Sequence, residues 1–380
     1  MLLHFFYYFL LLENVLHIHE YFGLGKGEEK MSNQGFHVAV VGATGAVGQQ
    51  ILETLANRDF PIRELTLLSS ARSAGKAISF KGEEVIVQEA KPESFEGVDI
   101  ALFSAGGSIS KELAPEAAKR GAIVIDNTSA FRMDPEVPLV VPEVNKEDLR
   151  QHKGIIANPN CSTIQMVAAL EPLRQAYGLK KVLVSTYQAV SGAGAKAVQE
   201  LNDQTKAIIE GQEFQPEILP VGGDKKHYQI AFNAIPQIDK FEDNGFTFEE
   251  MKMINETKKI MHMPELKVAA TCVRLPIATG HSESLYFEVE ATGVTTADVQ
   301  AELKDAPGIV LEDDPAEQVY PMPANCVGKI DVFVGRIRKD LDEDTGFHMW
   351  VVSDNLLKGA AWNSVQIAET LVEMGLVEAK

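Results

Sequence analysis

The stretch His37-Val38-Ala39-Val40-Val41-Gly42-Ala43-Thr44-Gly45-Ala46-Val47-Gly48 decides the fold. Residues suited to a buried strand run straight into glycines spaced G-x-x-G-x-x-G, and Gln49 to Asn57 then reads as a helix. Each glycine has a separate task. Gly42 permits the sharp turn, Gly45 lets backbone approach a pyrophosphate, and Gly48 lets the helix pack close to the strand. Such a triplet alone means little, but placed between a strand and a helix it is a dinucleotide-binding turn. The candidate cofactor contacts are Gly42, Thr44, Gly45, Ala46 and Val47.

Outward from this turn, strands and helices alternate. Leu65-Thr66-Leu67-Leu68 is the next strand, and where an NAD-preferring fold would place an acid for the ribose hydroxyl it runs into Ser69-Ser70-Ala71-Arg72-Ser73. Arg72 and Ser73 are therefore candidates for a 2′-phosphate, which favours NADP. Strands follow at Asp99 to Ser104, Ala122 to Ile125 and Gly154 to Ala157, with a helix from Lys111 to Arg120. This predicts a parallel, doubly wound α/β sheet, with ligands at the carboxyl ends of its strands.

One such end carries Asn158-Pro159-Asn160-Cys161-Ser162-Thr163, ahead of a helical run opening at Ile164. A thiol at a helix N-terminus lies near unpaired N–H groups, which favours the thiolate, so Cys161 is a candidate nucleophile. Beyond it the texture changes. Strands are expected at Val182 to Tyr187, Lys267 to Leu275, Leu285 to Glu290 and Asp331 to Ile337, with helices at Ala195 to Glu210 and Phe248 to Met261. They imply a second, α+β domain with a mixed sheet. Asn355 to Met374 reads as one helix that packs back on the first domain. The expected division is 31–158 plus 354–380 for the NADP-binding domain and 159–353 for a catalytic and dimerisation domain.

The 380 residues are enough for two cores, and 45% hydrophobic with 23% charged residues is ordinary for a globular protein. A net charge of -19 argues against nucleic acid or an anionic membrane as partner. The three cysteines, Cys161, Cys272 and Cys326, are too scattered for a disulfide framework or a metal cluster and point to the cytoplasm. Residues 1–30 stand apart: Met1 to Leu12 is apolar but too short to span a bilayer, and Lys26-Gly27-Glu28-Glu29-Lys30 is what a purine-rich ribosome-binding site would encode. Met31 is the expected natural start.

A nicotinamide cofactor with a nucleophilic cysteine suggests aldehyde oxidation through a thioester, which needs an acid/base beside the thiol. Among the nine histidines, His281 in Gly280-His281-Ser282-Glu283 has the most suitable setting, after a glycine between two strands. Together with Thr186-Tyr187-Gln188-Ala189-Val190-Ser191-Gly192-Ala193-Gly194, these motifs resemble the aspartate-semialdehyde dehydrogenase family, above all its Gram-positive form. The similarity runs from about Phe36 to the C-terminus.

The resemblance implies a glyceraldehyde-phosphate-dehydrogenase-like architecture, a homodimer or homotetramer, and a role for each matching position. Cys161 would carry the aspartyl thioester, His281 would take the thiol proton and serve the hemithioacetal hydroxyl, and Gln188 would orient the substrate. Arg274 would grip the α-carboxylate, Arg132 and Lys252 the phosphate, and Glu249 the amino group. Ser191, Gly192 and Asn355 would touch the nicotinamide end of NADP. An N-acetyl-glutamyl-phosphate reductase is the nearest alternative, but its acylated substrate has no use for Glu249. A non-catalytic NADP-binding sensor is the other, opposed by the joint presence of Cys161, Gln188, Arg274 and His281.

Overall fold

The computed structural model describes residues 35–380, so the expectations for residues 1–30 and for a start at Met31 lie outside the described residues. The first half supplies β1 (Phe36–Val41), β2 (Ile62–Ser69), a hairpin of β3 (Ala77–Phe80) and β4 (Glu83–Ile86), β5 (Gln88–Glu89), β6 (Ile100–Phe103), β7 (Ile123–Asp126) and β8 (Ile155–Ala157). All but the hairpin form one sheet in the order β5–β2–β1–β6–β7–β8, with every pairing parallel. Every residue of β1 is buried, as a central parallel strand covered on both faces requires. Helices α1 (Ala46–Asn57) and α2 (Gly107–Lys119) follow β1 and β6.

Helix α3 (Cys161–Tyr177) leads into the second sheet, built from β9 (Lys181–Gln188), β10 (Lys267–Arg274), β11 (His281–Glu288), β12 (Ile309–Leu311), β13 (Val332–Lys339) and β14 (Gly346–Ser353). Their order is β10–β9–β11–β14–β13–β12, parallel at the two outer pairs and antiparallel between. Along β9, Val182, Val184, Thr186 and Gln188 are buried while Leu183 is 39% exposed. Helix α3 covers the buried face, with α4 (Ala195–Glu210), α5 (Phe248–Ile260) and α6 (Thr296–Lys304) elsewhere in this half. The sheet is thus mixed, as the sequence implies.

Two local readings are corrected. Helix α3 begins at Cys161 itself, because Asn160 caps it: the Asn160 Oδ1 accepts from the N–H groups of Ser162 (3.1 Å) and Thr163 (3.2 Å). The C-terminal run is not one helix. A π-helical turn at Leu357–Ala361 precedes α7 (Trp362–Glu373), whose Trp362, Val365, Ile367, Ala368 and Leu371 pack into the core around β1 and α1. Within the turn, Lys358 is 1% exposed and its Nζ donates to both carboxylate oxygens of Glu143, at 2.7 and 2.8 Å.

Candidate active site

The glycine turn is built as its spacing requires. Gly42 sits at φ +87°, and a Cβ there would lie 2.9 Å from the Ser104 carbonyl carbon. A Cβ on Gly48 would overlap the Gly42 carbonyl oxygen, so helix and strand approach each other only without a side chain. The bare backbone opens onto a cavity lined by Gly42, Thr44, Gly45, Ser69, Ser70 and Ala105. Thr44 is tied to its rim through the Ser69 hydroxyl at 3.0 Å. Ala46 stands exposed in the first turn of α1. Arg72 and Ser73 occupy the turn after β2, outside the lining residues, and Arg72 is exposed.

A second cavity, of about 470 Å³, lies where the carboxyl end of the first sheet meets α3 and the second sheet. It brings together residues far apart in sequence: Val47, Arg132, Cys161, Gln188, Ser191, Gly192, Glu249, Lys252, Arg274 and Asn355 all line it. Asn355 fixes one corner, accepting from the Gly280 N–H (2.8 Å) and donating to the Ser191 hydroxyl (3.0 Å).

Strand register aligns the far wall. Arg274 and Gln188 are partners on β10 and β9, while Ser282 opposite Tyr187 sets His281 beside Gln188, and His281 in turn pairs with Ser353 on β14. One row of side chains thus crosses four strands. Arg274 is 4% exposed, and its Nη1 donates to the Ala189 carbonyl at 2.6 Å. Its strand is an edge strand, yet its side chain turns inward. His281 is fully buried; its Nδ1 accepts from the Ala189 N–H at 3.0 Å, so the neutral ring carries its proton on Nε2, 3.4 Å from the Gln188 amide. Burial, with the Arg274 charge, pushes His281 down to about 3.

Helix α5 supplies the opposite wall. Glu249 Oε1 accepts from the side-chain amides of Asn160 (2.9 Å) and Gln188 (3.1 Å), and its Oε2 accepts from Lys252 Nζ at 3.2 Å. Burial would raise this carboxyl, but Lys252, the two amides and Arg274 together hold it down to about 2. Lys252 also donates to Asp239 at 3.0 Å; burial opposes its charge, but the two carboxylates raise its pKa. The pair is therefore a partly buried ion network, with Glu249 as its buried member, and not a surface contact.

Cys161 shows where helix-end reasoning falls short. Burial and the Glu249 carboxylate push its thiol up to about 12, against the opposing pull of Arg132, Arg274 and the Ser162 N–H. The helix terminus acts in the expected direction and is outweighed. A further neighbour went unanticipated: a Cβ on Gly359, in the π-helical turn, would fall 2.7 Å from the Cys161 Cβ. Glu256, also absent from the sequence reading, is buried behind Arg132. Its signal was the spacing of Glu249, Lys252 and Glu256, which repeats on one helix face.

Comparison with known proteins decides the family. The chain is 74% identical over 344 residues to the aspartate-semialdehyde dehydrogenase of Bacillus subtilis, covering 90% of this chain and 99% of that protein. This chain belongs to the aspartate-semialdehyde dehydrogenase family. Two models agree: the semialdehyde dehydrogenase NAD-binding domain matches residues 37–152, and the semialdehyde dehydrogenase dimerisation domain matches residues 170–358. Among solved structures, aspartate semialdehyde dehydrogenase II of Vibrio cholerae complexed with ASA is 48% identical with a TM-score of 0.84, covering 90% of this chain and 99% of that one. The Candida albicans aspartate semialdehyde dehydrogenase with NADP is 27% identical with a TM-score of 0.67, covering 89% and 99%. The semialdehyde dehydrogenase fold thus accounts for both sheets and the junction between them.

Proposed function

We propose that this protein catalyses the reversible, NADP-dependent reductive dephosphorylation of L-aspartyl 4-phosphate to L-aspartate 4-semialdehyde, serving lysine, methionine and threonine synthesis. The observation that carries this is the second cavity, where one thiol stands among Arg132, Lys252, Arg274 and the Glu249 carboxylate. Aspartyl phosphate brings a phosphate, a carboxylate and an ammonium, and each finds a partner of opposite charge. Arg132 and Lys252 take the phosphate, Arg274 the α-carboxylate and Glu249 the amino group.

The glycine cradle that a Cβ would fill fits a dinucleotide. Gly42, Thr44, Gly45, Ala46 and Val47 would hold its pyrophosphate, Arg72 and Ser73 the 2′-phosphate, and Ser191, Gly192 and Asn355 the nicotinamide end. NADP supplies, when bound, the hydride donor or acceptor for the acyl carbon. The chain's own residues do the rest. Cys161 Sγ attacks the acyl carbon, an S–C bond forms as the C–O bond to phosphate breaks, and the phosphate leaves toward Arg132 and Lys252 carrying the thiol proton. Gln188, held by Glu249, orients the carbonyl. His281 Nε2–H hydrogen-bonds the oxygen of the tetrahedral adduct as it forms; the adduct then collapses, its S–C bond breaking to free the aldehyde while Sγ leaves as the thiolate and regains a proton from solvent. The neutral ring is a donor at rest, so donation is the half of its expected acid/base role that fits the resting geometry.

A division into 31–158 plus 354–380 and 159–353 is part of the same proposal, supported by described strands that, the β3–β4 hairpin apart, fall into one sheet over 36–157 and another over 181–353, and the half-exposed outer face around Leu183 suits a homodimer. Among the described residues no helix is long and apolar enough to cross a membrane; the few, scattered cysteines are what support a cytoplasmic setting. The test is phosphate-dependent NADP reduction with aspartate semialdehyde, comparing the parent with Cys161→Ala. Undiminished turnover in the variant defeats the mechanism, and a preference for N-acetylglutamate semialdehyde overturns the substrate.

A further inference from the structure

Four residues of α5, Glu249, Lys252, Glu256 and Lys259, recur every three or four positions and so share one face. The first two line the cavity. The other two hold the loop that presents Arg132. Lys259 Nζ donates to the backbone carbonyls of Arg132 (2.7 Å), Asp134 (2.6 Å) and Val137 (2.8 Å). Glu256, 1% exposed, accepts from Arg132 Nη1 at 3.2 Å through Oε1, and from the backbone N–H of Asn160 at 2.7 Å through Oε2. Arg132 is fixed twice more, Nε on the Asn158 carbonyl and Nη2 on the Asn127 carbonyl, both at 2.9 Å. A guanidinium has five N–H donors, so two remain for a ligand in the cavity that Arg132 lines.

We propose that Glu256 is a positioning residue whose carboxylate, shared between Arg132 and the Asn160 backbone, holds the phosphate-binding arginine and the Cys161 end of α3 in one arrangement. This rests on the activity proposed above. Both partners are donors, so both oxygens must accept, and only the ionised carboxylate does that. A glutamine offers one acceptor and one donor, and whichever way it turns an N–H faces an N–H. Protonated Glu256 has the same defect. The charged groups acting on it are Arg132 from the loop after β7, and Glu249 and Lys259 from α5 itself. Burial, aided by Glu249, raises its pKa above the ordinary glutamate value against the pull of Arg132 and the Asn160 N–H, so the bridge fails on the acid side earlier than an exposed glutamate would.

The experiment measures phosphate and NADP kinetics of Glu256→Gln, and the protection of Cys161 from iodoacetamide by inorganic phosphate, across pH. We expect kcat/KM for phosphate to fall at least tenfold, KM for NADP to stay within twofold, and phosphate protection to weaken. The acid limb of the phosphate profile flattens. Loss in Glu256→Gln and in Arg132→Ala is not additive, because one bridge is removed in both. A variant with phosphate kinetics and protection like the parent's, or losses that simply add, overturns the proposal. Should Glu256→Gln fail to fold, the parent decides: protection that does not fade on the acid side refutes the bridge. If the parent lacks phosphate-dependent turnover yet keeps pH-dependent protection, the activity proposal falls and the bridge stands.

Discussion

Replacing Gly359 by alanine tests how closely the C-terminal turn governs the nucleophile. The added methyl would sit 2.7 Å from the Cys161 Cβ and 3.2 Å from its Cα, about 0.7 Å inside the ordinary contact limit of 3.4 Å. The backbone at Gly359 is not left-handed, so the conflict is purely steric. The turn has little room to retreat, because Lys358 is bound to Glu143 on one side and the buried residues of α7 follow on the other. Cys161 must therefore move. Overpacking of this kind costs about 1–3 kcal/mol of stability. A displacement approaching 1 Å at a nucleophile costs on the order of 100-fold in rate. We expect Gly359→Ala to fold, to melt a few degrees lower, to keep its NADP affinity and to lose about 30- to 300-fold in kcat. Steady-state kinetics with a thermal melt and cofactor titration measure all of these. A kcat within threefold of the parent at unchanged Tm would falsify the claim that this contact seats the thiol.

Three further outcomes follow from the same geometry. Glu249→Gln removes the anion that, after burial, most raises the Cys161 thiol, so iodoacetamide alkylation at neutral pH should quicken even as KM for aspartate semialdehyde rises; an unchanged alkylation profile contradicts the assignment. His281, held down to about 3, stays neutral from pH 5 to 8, so kcat/KM should show no break near the ordinary imidazole value of about 6.5. Such a break, lost in His281→Gln, would count against a resting neutral donor. Lys358→Met strands Glu143 in a buried site and should cost about 3–5 kcal/mol in urea unfolding, whereas Lys358→Met with Glu143→Leu should recover much of it. Equal losses in the single and double variants would show that the charge pair is not the cause.

What was legible in the sequence was local. The strand, the glycine turn and α1 lie within two dozen residues, and each glycine's need is set by its immediate neighbours. The cysteine at a helix start is legible for the same reason, although the helix opens at Cys161 and not at Ile164 because Asn160 caps it. Arg132, Glu249, Lys252 and Arg274 came from the family resemblance, since no periodicity predicts that they share a cavity. Glu256 escaped because its partner Arg132 is 124 positions away. Strand β14 escaped because Gly346, Phe347, Met349, Val351 and Val352 are buried on both faces, which erases the alternation that marks a half-buried strand. The thiol's raised pKa was invisible for a similar reason: the helix end is local, while the desolvation that overrides it is tertiary.

The row Arg274–Gln188–His281–Ser353 bears on how this protein can change length. Its members are brought level by the hydrogen-bond ladders of four strands, and a one-residue slip in any ladder turns a side chain to the opposite face. Insertions and deletions inside β9, β10, β11 or β14 should therefore abolish activity even where the chain still folds. The exposed residues 292–293, beyond the far end of β11, and 341–344, ahead of the far end of β14, can lengthen without disturbing the row. Length variation is thereby channelled to the end of the sheet remote from the cavity, and loop grafting or circular permutation has its safest openings there.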